Sequence, residues 1–200
     1  MRFFERPILV VPPAHVLNKA KQFAEQVILT VDYRDSYQFN PDKIIDDHWI
    51  SKIGEEAVYS VFSAYTTTVS EPDYQIYVGK QKGWGVDLTV NQIGLAVKTQ
   101  KQTTAQRYGL SWTFQCDPQG RSDPVLTLPE AWVCFVSCDD TTPSLSCTVF
   151  PPLQMKEIIF GQPKLPKLRG KKLVVYAADN GLLPPDDSPP ATGFATGRLS

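Results

Sequence analysis

The sequence predicts an α+β or α/β domain in which helices come first and a mixed central β-sheet follows. Apolar residues recur at helical spacing in two stretches of the first third of the chain. After residue 74 the pattern changes to short, β-rich runs separated by turn residues. Helices segregated ahead of strands point to these two fold classes rather than to a bundle or a sandwich. The 200 residues, 42% hydrophobic and 20% charged, suffice for one sizeable core.

The first helix is expected over 14–28, AHVLNKAKQFAEQVI, directly after a proline pair. TVDYRDSYQFNPDK is polar and turn-rich. A second helix is expected after Asn40, with Pro41 at its first position, running to about Tyr65. The strand runs are YQIYVG, WGVDLTV, GLAVKTQ, GLSWTFQ, AWVCFVSC, LSCTVF and KKLVVYA. Residues 1–178 thus read as one domain, and the proline-rich 179–200 as a flexible tail.

Charge and cysteine content narrow the function classes. Residues 1–75 carry 7 basic and 11 acidic side chains, whereas 76–178 carry 12 and 7. The second half could touch phosphates, although the cluster Lys164, Lys167, Arg169, Lys171 and Lys172 reads first as a solvated loop. Cys116, Cys134, Cys138 and Cys147 lack the paired spacing of a zinc site and are expected as small buried hydrophobes. No apolar run approaches the roughly 18 residues of a membrane span. The opening MRFFERPILVVPP does not read as a signal peptide, so a cytoplasmic location is expected.

The informative stretch is GWGVDLTVNQIGLAVKTQ, residues 83–100. A two-residue turn at Asn91-Gln92 pairs residue 90 with 93, 87 with 96 and 85 with 98. Trp84, Val86, Leu88, Val90, Ile93, Leu95 and Val97 then form a core face. Asp87 and Lys98 share the other face with Gly85, Gly94 and Ala96, whose small side chains leave open space. An exposed cross-strand ion pair would be the ordinary explanation of such a pair. In KIGEEAVYSVFSAY, Glu55 falls at the edge of the apolar arc, whereas Glu56 falls among Lys52, Ser60 and Ser63 on the polar side. A carboxylate at a core edge needs a partner. The consecutive Asp46, Asp47 and His48 cannot converge on one ion.

An Asp on one strand, followed about ten residues later by acid-x-Lys on the next, is the pattern of the PD-(D/E)xK nucleases, the restriction-endonuclease-like superfamily, which Asp87 and Lys98 resemble. The resemblance spans roughly residues 40–115. It implies a nuclease core in which Asp87 binds a metal with the Val97 carbonyl, and Lys98 orients or activates the attacking water. The second acid expected at 96 is replaced by alanine. Gln100, on the same face, and Glu55, in the position of the helix glutamate, are the candidates to compensate. Pro72-Asp73 repeats the dipeptide but reads as a loop. The resemblance further implies Mg²⁺ or Mn²⁺ as cofactor, DNA as partner, a homodimer for double-strand cutting, and an origin in phage or host. Lys101, Gln102, Gln106 and Arg107 would contact the backbone, and Trp112 would stack on a base. Ala96 leaves three readings open: a metal-dependent nuclease, a catalytically inactive relative serving in nucleic-acid binding or assembly, or an interaction protein without this fold.

Overall fold

The computed structural model describes residues 1–30, 39–77 and 86–183. Helix α1 covers Ala14–Val27 and α2 covers Pro41–Ser63. Asn40 caps α2, its Oδ1 accepting from Asp42 N (3.0 Å) and Lys43 N (3.3 Å), with Pro41 at the first helical position. Helix α2 runs through residues 41–63 unbroken.

Strand β1 (Ile8–Val10), β2 (Leu88–Val90), β3 (Ile93–Lys101), β5 (Trp132–Asp139) and β6 (Ser146–Val149) form a mixed sheet in the order β1-β6-β5-β3-β2. The short β7 (Leu153–Gln154) pairs beside β5. β3 and β5 are parallel, and the other pairs are antiparallel. Between β3 and β5 the chain forms α3 (Gln102–Tyr108) and β4 (Ser111–Gln115), and β4 pairs with β8 (Lys172–Tyr176) in a separate two-stranded ribbon.

Helix α2 packs on one face of the sheet, where Ile50, Ile53, Val58 and Phe62 meet Leu95, Cys134 and Val136. The β4–β8 ribbon packs on the other, bringing Trp112, Phe114 and Val175 against Ala96, Val133 and Phe135. β3 and β5 are therefore covered on both sides, as parallel strands usually are. This corrects the open face expected around Ala96: the methyl group is 7% exposed inside a second core.

The hairpin turns at Asn91-Gln92 with φ of 49° and 66°, and its register joins Val90 to Ile93 and Leu88 to Leu95. Positive φ at both positions matches the twist that a two-residue hairpin requires. Leu88, Val90 and Leu95 are buried, but Val86 and Ile93 are 46% and 45% exposed. β2 starts only at Leu88, so strand pleating no longer sets the direction of Val86, which folds over Gly94. Trp84 and Gly85 lie outside the described residues, as do 78–79 of the expected YQIYVG strand; 74–77 form no strand.

Three further expectations change. β1 is an unforeseen strand, three residues between Pro7 and Pro12 that gain their partner only from β6. Cys138 and Cys147, directly opposite on β5 and β6, form a disulfide rather than serving as free hydrophobes; Cys134 remains a buried thiol. Packing also continues past residue 178, because Leu182 is buried in the second core; residues 184–200 lie outside the described residues.

Candidate functional site

The site is built where β2 stops and β3 continues. Asp87 N donates to Leu95 O (3.2 Å), and among the described residues the β2–β3 pairing extends no further. Asp87 turns its carboxylate onto the edge of β3, its Oδ2 accepting from Val97 N at 2.7 Å. The N–H and C=O of one residue in an extended strand point to the same side. The Val97 carbonyl therefore faces the edge that Asp87 occupies.

Lys98 lies on the face covered by the β4–β8 ribbon. Its Nζ donates to Asp123 Oδ2 at 2.6 Å and stands 4.6 Å from the centroid of the Phe114 ring. Asp123 is 7% exposed and also accepts from Gln115 N (3.2 Å). A hydrogen-bonded carboxylate and an aromatic face hold the ammonium in one direction. Asp123 was not singled out in the sequence: it stands in the loop RSDPV, 25 residues from Lys98, with no spacing signal to join them.

Helix α2 is pressed against β3 at the same level. A Cβ on Gly54 would collide with the side chain of Thr99. The next residue along α2 is Glu55. Glu55 is 7% exposed and receives a hydrogen bond from Lys52 Nζ at 2.5 Å. Lys52, expected on the polar side of the helix, is 4% exposed, because Phe23 of α1 covers it with its ring centroid 4.9 Å from Nζ. Glu56 accepts from Tyr74 Oη at 2.9 Å. Burial and the neighbouring Glu56 push the Tyr74 hydroxyl well above its usual pKa.

The remaining candidates divide by their contacts. Gln100 is buried: its Oε1 accepts from Ser111 N (2.8 Å) and its Nε2 donates to Gly109 O (3.3 Å), so it pins the α3–β4 turn to the sheet. Trp112 is 2% exposed, donates from Nε1 to Val136 O (2.8 Å) and packs on Phe135. It is a core residue with no ring face left for a base. Lys101 joins Asp46 of α2 (2.5 Å) and lies 3.7 Å from Asp140. Arg107 is exposed near the end of α3. Gln102 and Gln106 border a groove of about 770 Å³ whose floor includes Ser137 and Thr148.

The Asp87 carboxylate and the Val97 carbonyl share the β3 edge, whereas Glu55, on α2, is tied to Lys52; oxygen donors of this kind suit a hard cation. Mg²⁺ commonly uses only one or two protein carboxylates and completes its shell with water and substrate phosphate. Among the described residues, no group of three His, Cys, Asp or Glu side chains converges as a ready-made metal cage. Among the described residues no helix is long and apolar enough to cross a membrane. No family model, curated protein or solved structure matches this chain.

Proposed function

We propose that this protein is a metal-dependent nuclease of the restriction-endonuclease-like kind, cutting phosphodiester bonds of DNA. The observation that carries the reading is the edge of β3: Asp87 lies on Val97, with Lys98 held next to it by Asp123. The order of elements supports it as well. A long helix precedes a β-hairpin, and a crossover containing a short helix leads to a parallel strand.

Asp87, the Val97 carbonyl and Glu55 would hold the Mg²⁺ or Mn²⁺. Such an ion supplies charge neutralisation at the phosphate and lowers the pKa of a bound water. The chain's own part is positional. Lys98 presents a fixed ammonium that stabilises negative charge developing on a phosphate. Asp123 keeps that ammonium directed. Ala96 leaves the site one acid short, with its methyl group packed in the second core.

That packing favours a second reading, a nuclease-fold protein that binds nucleic acid without cutting it. The two separate in one experiment. Supercoiled and single-stranded DNA are incubated with Mg²⁺, Mn²⁺ or EDTA, using wild type, Asp87→Ala and Lys98→Ala. Metal-dependent cutting lost in both variants supports the nuclease. Binding without cutting by wild type leaves the second reading. Neither binding nor cutting removes both.

A further inference from the structure

Lys172 begins β8 directly opposite Gln115. Cross-strand neighbours have Cβ atoms about 5 Å apart. The N–H of Gln115 donates to Asp123 Oδ2, the same oxygen that holds Lys98 Nζ. Lys172 is thus one residue removed from the Lys98–Asp123 pair. The charged groups close enough to act on its ammonium are Asp47, Asp123, Lys43 and Lys98.

These four include two ion pairs, Lys98 with Asp123 at 2.6 Å and Lys43 with Asp47 at 2.8 Å. The Lys172 ammonium makes no hydrogen bond or ion pair with any described residue, although the side chain is half-buried. Burial pushes its pKa down, the two aspartates pull it up, and Lys43 and Lys98 push it down again. With Lys172, these groups are three cations and two carboxylates, so positive charge is in excess beside Lys98. A partly desolvated ammonium without a partner is unfavourable until an anion reaches it.

We infer that Lys172 is a second phosphate-binding cation, contacting a non-bridging oxygen of the nucleic-acid strand next to the phosphate that Lys98 faces. The inference rests on the nucleic-acid reading of this site. A purely structural lysine would instead have a protein partner, or would extend into solvent as its exposed neighbour Lys167 does.

The test uses the full chain, labelled single- and double-stranded oligonucleotides, EDTA, and a range of KCl concentrations, so that binding is read apart from cleavage. Lys172→Met is expected to weaken binding by about tenfold at low salt, the scale of one charge-assisted contact. It should also flatten the salt dependence by about 0.7–0.9 in the log–log slope. Lys172→Arg retains most of the affinity, and Lys167→Met changes it less than Lys172→Met does. The melting temperature of Lys172→Met stays level or rises, because an excess positive charge has been removed. Wild-type affinity and slope in Lys172→Met would overturn the inference while leaving the nucleic-acid reading intact. A fall in melting temperature that accounts for the lost binding would overturn it as well. Wild type that binds neither oligonucleotide removes the reading and the inference together.

Discussion

The ion pair between Lys98 and Asp123 offers the sharpest physical test of the site. Its Nζ–Oδ2 distance is 2.6 Å, with the two side chains 25% and 10% exposed. It thus lies between an exposed pair, worth about 0–1 kcal/mol, and a fully buried one, whose disruption costs about 3–5 kcal/mol. Asp123→Ala leaves Lys98 half-desolvated over Phe114 and removes an acceptor from Gln115 N. A loss of about 1–3 kcal/mol follows. For a chain of this length that lowers the melting temperature by about 2–4 °C per kcal/mol. Lys98→Met leaves the same carboxylate uncompensated but restores apolar contact with the ring. The double-mutant cycle should give a coupling of about 1–2 kcal/mol, measured by urea unfolding at pH 7 in low and high salt. It should shrink only modestly with salt, because a pair this buried is weakly screened. A coupling below about 0.3 kcal/mol, or one abolished by salt, would refute the argument that Asp123 fixes Lys98.

Other perturbations test neighbouring features. Gly54→Ala should destabilise by about 1–3 kcal/mol despite better helix propensity, because its Cβ meets Thr99, and urea unfolding of the single variant decides it. Gln92→Gly should stabilise by about 0.5–1 kcal/mol in the same assay, since Gln92 holds φ at 66° in the hairpin turn. Burial opposes the charge on Asp140, but hydrogen bonds from Thr103 Oγ1 (2.6 Å) and Thr103 N (2.9 Å) outweigh it and hold the carboxyl below its usual range. Its stabilising effect is therefore present above the ordinary aspartate pKa and disappears as pH falls through the lowered one, so Asp140→Asn should be less stable than wild type at pH 7 and equal to it in strong acid. Thiol titration of the denatured chain should find two reactive cysteines, Cys116 and Cys134, before reduction and four after it. Breaking the short Cys138–Cys147 loop should cost about 2–3 kcal/mol.

Local chemistry made much of the architecture legible. The α1 and α2 helices follow from apolar periodicity and from the Asn40-Pro41 start, and the Asn91-Gln92 turn with its register follows from strand alternation. These features depend on interactions between residues near in sequence, where spacing carries the information. Tertiary structure alone decided the partners. Lys98 is 25 residues from Asp123 in the chain, Trp112 is 24 from the carbonyl it binds, and β1 is paired with a strand near residue 149. No period links such residues. Whether Ala96 faced solvent or a second core likewise depended on the β4–β8 ribbon folding back over β3, a contact between segments that alternation along one strand cannot encode. The sequence by itself determined which side chains carry charge on the hairpin. The fold decided which carboxylate meets which lysine, because those partners are brought together by packing between segments far apart in the chain.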